Sequence, residues 1–510
     1  MASSAGAKEA ERQRLVEAGA SGPAAGSPTR RSRLEMRCGC LAVSLVLGAL
    51  LLMAVRPAAP QRASSPHRDW EEARRWVAEP GQALRLPVSR AVEDHIVYDM
   101  LQEGAAADGA TDNTAVIQAT LDKCPGSRSC ELRFPAPGVF LTGHLSVHKS
   151  GVTLRIEPGA SLQFIADASL YPRIPYPEFP NKPSYPPPPN GCHSALLSVR
   201  NVDHFTITGG GEVDGNGEFH VWEHVPPVSM IYVLNGDYIT ITNVTIREPA
   251  IIALHAQFSQ HVLFEDVQIV VSTGTREEGL LIDSCKYVTV RRVHYGGRGL
   301  GFVLASGDGV EGRALRLPNM HVLLEDSYFS GGVVMVSAMA GGNFNVTYRY
   351  LTLDGTLARR ESSEGMPGLK MHARPDITGG ESKDIVMEHI RGINLHHVIS
   401  IDMTRQLPEE MRHRRVGGDT EAEYMPVARL GVGGVLPVIH GITYRNISVT
   451  NVDSDVFKIR TLPESPVTGI VMESVHARGG KGRGWKCKGP PLQGIATDVD
   501  PPPPKACLHT

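Results

Sequence analysis

A short unit of apolar, intervening and apolar residue recurs along most of this chain. Clear copies are Phe205-Thr-Ile207, Ile239-Thr-Ile241, Val262-Leu-Phe264, Val288-Thr-Val290, Val322-Leu-Leu324, Val346-Thr-Tyr348, Ile385-Val-Met387, Ile442-Thr-Tyr444 and Ile470-Val-Met472. From Ile239 to Val346 their starts lie 23, 26, 34 and 24 residues apart. Inside a unit the period of two is that of a strand with one face buried. Between units, a return at this interval is what a stacked coil requires, with loops enlarging some turns.

The expected fold is therefore all-β: a right-handed, single-stranded parallel β-helix over residues 95–480, with the apolar pairs pointing into one inner column. Polar residues at the turns can then bond their counterparts one rung away. A β-sandwich fits less well, because two-residue hairpin signals are not arrayed along the chain. A leucine-rich horseshoe lacks its LxxLxL units. Before the first rungs, a helix beginning near Asp112 or Thr114 would set Ala115, Val116, Ile117 and Leu121 over an apolar end as an N-terminal cap. Two stretches break the pattern. Pro172–Pro189 must be extended, since Pro removes ladder donors; its neighbouring Tyr171, with Tyr176, Phe179 and Tyr185, would either line a groove or wrap the surface. Thr404–Leu436 is charged and Gly-rich and reads as a lid, partner surface or loop.

Residues 1–37 form a basic tail with little to bury. Residues 38–56 follow as an apolar segment, with basic residues before it, that reads either as an uncleaved signal anchor or as a cleaved signal peptide. Either reading keeps the tail cytosolic and delivers the rest to the secretory pathway, as a single-pass type II membrane protein or a secreted one. Residues 57–94 read as a tether and short helix, and residues 481–510 as a Gly/Pro-rich C-terminal tail. Cysteine usage agrees with export: Cys124 and Cys130 flank a short loop suited to a disulfide, and Cys487 with Cys507 would clamp the end. Sequons at Asn243, Asn345 and Asn446 are candidate N-glycosylation sites. The 51 Lys and Arg against 54 Asp and Glu give a net charge of -3. That leaves no global positive field for a nucleic-acid partner.

Several ordered segments carry a family resemblance: ADGATDNTAVIQATLDKC after Gly104-Ala105, GVFLTGHLSVHKSGVTLRIEPGASLQF, FTITGGGEVDGNG, ITITNVTIREPAIIALH and LLIDSCKYVTVRR. Over about residues 95–475 the chain resembles the polygalacturonase-like glycoside hydrolases of the pectin-lyase-like β-helix class. The resemblance implies inverting hydrolysis of an acidic polysaccharide, without a metal or other cofactor. Such chemistry needs one carboxylic acid for the leaving oxygen and one carboxylate to activate water. Residue by residue, Glu278 takes the place of the first catalytic acid, while Leu281 replaces the second acid of that motif. Gly299 and Leu300 stand where the paired acids belong, and neither transfers a proton. Gly331 falls where a histidine is expected. Lys370 and His372 stand in the substrate-carboxylate motif: Lys370 keeps a cation without the bidentate fork of Arg, and His372 charges only in mildly acidic surroundings.

Two functions follow. Glu278 with Asp308 is the candidate catalytic pair of a glycosidase, and His255, Lys370 and His372 are candidate substrate-binding residues; Asp308 alternatively serves a GDG turn. The other reading is a catalytically inactive glycan-binding or wall-organising protein. A β-eliminating lyase would need a base with calcium or cations, and no compact Asp cluster marks that site. Exo or endo action, the sugar linkage and the oligomeric state are not written in these residues.

Overall fold

The computed structural model describes residues 95–174, 192–217, 229–272, 278–307, 315–331, 334–337, 340–357, 367–373, 379–404, 436–480 and 484–509. The basic tail, the apolar segment, the tether up to residue 94, most of the Pro-rich stretch, Asp308 and residues 405–435 lie outside them. Among the described residues no helix is long and apolar enough to cross a membrane.

The expected coil is present. Eleven strands pair in parallel in one sheet: β1 (Leu145–Val147), β2 (Leu197–Arg200), β3 (Ser229–Leu234), β4 (Ile252–Gln257), β5 (Glu278–Asp283), β6 (Leu300–Ala305), β7 (Val334–Ser337), β8 (Pro367–His372), β9 (His397–Asp402), β10 (Phe457–Arg460) and β11 (Trp485–Lys488). A larger parallel sheet of 21 strands supplies the other walls. The recurring units lie in this larger sheet: Ile239, Val262, Val288, Val322, Val346, Ile385, Ile442 and Ile470 are successive register partners. Their side chains are buried and form one continuous core with the inward column of the 11-stranded sheet, to which Leu254, Leu280, Phe302, Leu369, Ile399 and Phe457 belong. Each such side chain contributes about 1.5–3 kcal/mol by leaving water, and its packing partners sit one rung away.

Helix α1 (Thr114–Lys123) sits where the sequence places it. Ile117 and Leu121 are buried, but Ala115 is exposed and Val116 half-buried, so the covering stripe is narrower than expected. Asn113 is buried ahead of the helix: its Oδ1 accepts from Ala106 N at 2.7 Å, and its Nδ2 donates to the carbonyls of Ala106, Thr111 and Leu141.

The C-terminal boundary needs correction. The segment expected to be a tail continues the coil, with β11 in register on β10 and Leu492–Asp500 on Thr468–Gly480. Trp485 stacks on Phe457 at 4.1 Å, and the Cys487–Cys507 disulfide secures this rung. Gly and Pro composition misled because the turns between rungs consume those residues while short alternating strands still fit between them. The Cys124–Cys130 disulfide also forms.

Rung-to-rung polar ladders hold the turns. Asn319 Nδ2 donates to Asn343 Oδ1 at 3.0 Å and Asn343 Nδ2 to Ser382 Oγ at 3.1 Å, all three side chains buried. At another turn the rings of His204, Tyr238, His261, Tyr287 and His321 stack at centroid separations of 4.8, 4.5, 5.1 and 5.0 Å. These five residues and Asn345, which meets His321 at 2.6 Å, all have φ between 49° and 58°. Left-handed backbone costs a non-Gly residue about 1–2 kcal/mol, and stacking and hydrogen bonding along the column offset it. The sequon residues Asn243, Asn345 and Asn446 are exposed at such turns.

Candidate functional site

Alternation fixes which residues of the 11-stranded sheet face outward. On β8 the buried Leu369 and Met371 point into the core, so Lys370 and His372 face out. By register, Ser400 and Asp402 of β9 follow them, then Lys458 and Arg460 of β10. Arg460 Nη1 donates to Asp402 Oδ2 at 3.1 Å, and Asp402 Oδ1 accepts from the backbone N and the hydroxyl of Thr404, each at 2.9 Å. Asp402 is thus an anchored carboxylate one rung from His372, itself 8% exposed. The resemblance marked Lys370 and His372; it did not mark Lys458 or Arg460, although cations two apart in Lys458-Ile-Arg460 repeat the Lys370-Met-His372 pattern.

His255 lies on β4 in the same outward column as Lys370 but four rungs earlier. At ~4.8 Å per rung their backbones are about 19 Å apart. The structure therefore places them on one face but not around one sugar ring. His255 is 3% exposed, its Nδ1 is 3.0 Å from Ser229 Oγ, and its ring lies 4.7 Å from that of Tyr232.

Beside it runs a buried polar chain that sequence reasoning did not assemble. Tyr232 donates its hydroxyl to Gln257 Oε1, and Gln257 Nε2 donates to Asp283 Oδ2 at 2.9 Å. Asp283 Oδ1 accepts from Ser284 Oγ at 3.0 Å and Gly307 N at 3.2 Å. Burial pushes the Asp283 carboxyl up to about 7, against the opposing pull of those donors. The side chain is fully buried, so it meets no substrate directly.

Glu278 opens β5, its backbone in register with Ile252 and Leu300. Its proposed partner Asp308 is outside the described residues. Leu281 occupies the outward column after His255 and is 4% exposed. Around Gly299 the described segments are joined by hydrogen bonds and close packing. Gly299 N donates to the hydroxyl of the buried Tyr295 at 3.2 Å, and Ser330 Oγ both accepts from Gly297 N at 2.8 Å and donates to Gly297 O at 2.6 Å. A Cβ on Gly331 would lie 2.0 Å from Gly299 O. With the two segments this close, position 331 cannot hold a larger side chain, a histidine included, unless the backbone moves. Leu300, half-buried, begins β6, whose remaining residues Gly301–Ala305 carry no titratable group.

Among the described residues no group of three His, Cys, Asp or Glu is arranged to hold a metal ion. Cys285 is buried, and burial pushes its thiol up to about 12, away from nucleophilic use.

Comparison with known proteins places this scaffold. The crystal structure of a hyperthermoactive exopolygalacturonase from Thermotoga maritima superposes with a TM-score of 0.60 at 19% identity, covering 81% of this chain and 92% of that one. The polygalacturonase of Erwinia carotovora gives 0.54 at 16% identity, covering 80% and 98%. In sequence, 123 residues are 36% identical to an exo-poly-alpha-D-galacturonosidase of Dickeya chrysanthemi, amounting to 24% of this chain and 20% of that protein. The chain thus spans about a fifth of the length of that curated relative. No family model matches the sequence. The fold is the parallel β-helix of the polygalacturonases, as the resemblance implied.

Proposed function

We propose that this chain is a polygalacturonase-like glycosidase acting on an acidic polysaccharide that lies along the outer face of the 11-stranded sheet. The observation that carries the reading is the outward placement of Lys370 and His372 on β8, in a coil like that of exopolygalacturonases. In this reading Lys370 and His372 hold a substrate carboxylate, and Glu278 with Asp308 supplies the acid and base. Inverting hydrolysis needs those two carboxyl groups about 6.5–9.5 Å apart with room for water. Disulfides at Cys124–Cys130 and Cys487–Cys507 support work outside the cytosol, with residues 38–56 as signal or anchor. The test is release of reducing ends from oligogalacturonate by the full chain and by Glu278→Gln and Asp308→Asn. Turnover that either substitution reduces at least about a hundredfold supports the assignment; turnover indifferent to both removes the acid pair.

A second reading, glycan binding without cleavage, is favoured by the closed turn at Gly297–Gly299 and by Leu300 at the family's acid position. It predicts saturable binding of oligogalacturonate with no new reducing ends, and loss of that binding in Lys370→Ala/His372→Ala.

A further inference from the structure

Charge is unevenly divided along the outer face of the 11-stranded sheet. In the two outward columns, β2 carries Arg200, and β3 to β6 carry Tyr232, Leu234, His255, Gln257, Leu281, Asp283, Val303 and Ala305, with no Lys or Arg among these eight and their one carboxylate, Asp283, fully buried. The last four strands present Lys370 and His372, Ser400 and Asp402, Lys458 and Arg460, then Lys486 and Lys488. That is five permanent cations against one carboxylate. The alternation is secured by Phe457 and Ile459, buried in the core, by Trp485 stacked on Phe457, and by Cys487 in its disulfide.

We propose that β10 and β11 form a binding strip for a polyanionic glycan, with Arg460, Lys486 and Lys488 taking its carboxylate or sulfate groups and the buried Lys458 adding positive charge behind them. The inference rests on the outer face being a glycan groove, but not on cleavage. Adjacent rungs are ~4.8 Å apart and alternate residues of one strand ~6.6 Å apart. The four cations therefore occupy the corners of a small lattice, which matches a chain bearing an anion on every sugar better than a single isolated anion. Lys458, 8% exposed, backs the patch, while Lys486 and Lys488 are exposed at its outer edge. Two carboxylates temper it: Asp402 holds Arg460, and Asp455 Oδ2 lies 3.7 Å from Lys486 Nζ.

A nucleic acid is the other polyanion to consider. Proteins that hold single strands interleave cations with aromatic stacking platforms, and the outward positions of the last four strands carry no Phe, Tyr or Trp. Edge protection is a third explanation for Lys486 and Lys488, since charged side chains discourage sheet edges from pairing. Charge reversal separates this from binding, because glutamates repel one another across an edge as lysines do.

The experiment is equilibrium binding of the full chain to oligogalacturonate, to a heparin oligosaccharide and to neutral dextran, at low and physiological salt. Lys486→Glu/Lys488→Glu is compared with Lys486→Arg/Lys488→Arg. The expected result is salt-sensitive binding of at least one acidic glycan and none of dextran. The Glu pair weakens it about tenfold or more and the Arg pair retains it. Preference between the carboxylate-only and the sulfated ligand identifies the anion. Unchanged affinity in the Glu pair overturns the strip; if Lys370→Ala/His372→Ala then abolishes binding, the groove survives without it. Binding of no acidic glycan overturns strip and groove together. Tighter binding of single-stranded RNA of equal charge overturns the glycan assignment.

Discussion

Asp283→Asn tests the energetics of the 11-stranded sheet most directly. The wild-type carboxyl is fully buried among Gln257, Ser284 and Gly307, and its folded value of about 7 stands above an ordinary 3.8. Each pH unit of difference corresponds to ~1.36 kcal/mol, so the full linkage is on the order of 4 kcal/mol. Because folding raises the value, the folded chain binds the extra proton. The stabilising contribution is whole below the unfolded value, declines as pH climbs, and is lost once pH passes about 7. Roughly 2–3 kcal/mol of that decline falls between pH 5 and pH 8. Asparagine keeps the shape and cannot ionise, and any fixed cost of the substitution cancels in the pH dependence. Urea unfolding of both proteins at pH 5, 6, 7 and 8, followed by Trp fluorescence, should show the wild type losing ground steadily to Asp283→Asn. A stability difference flat across this range, or a wild type that gains on the variant as pH rises, would refute the argument that burial governs this carboxyl.

Other outcomes follow from the same contacts. Gly331→Ala should cost about 1–3 kcal/mol or more, because the added methyl meets the Gly299 carbonyl at 2.0 Å; a thermal melt indistinguishable from wild type would contradict the close approach. Tyr238→Ala removes two stacking contacts, with His204 and His261, and should destabilise by about 1–3 kcal/mol in urea titration. Asn113→Ala strips four hydrogen bonds from the approach to α1. It should cost about 2–4 kcal/mol and raise amide exchange in Thr114–Lys123 first.

How much of this was legible in advance depends on the range of the interaction. The period-two units and their return interval were enough to specify a coil, because an apolar pair in a short strand can be buried only against its own neighbours one rung away. Local spacing likewise marked the Cys124–Cys130 loop, the helix after Asp112 and the three exposed sequon asparagines. The end of the coil was misjudged at residue 480, since the last rung is secured by Trp485 on Phe457 and by a disulfide, neither of which composition reveals.

Residue identities alone also gave the expectation that Gly299, Leu300 and Gly331, none of which transfers a proton, stand where the resembled family carries its acids and histidine. Only the tertiary structure decided that two of these positions touch: Gly331 lies against the Gly299 carbonyl, a contact between adjacent rungs. It decided too that His255 and Lys370 share a face yet stand four rungs apart, that Asp283 is sealed inside the sheet's outer layer, and that Lys458, Arg460, Lys486 and Lys488 fall side by side. The physical reason is register. A strand's own alternation tells which side chains turn outward, but which outward side chains meet depends on how many residues each intervening loop spends before the chain returns.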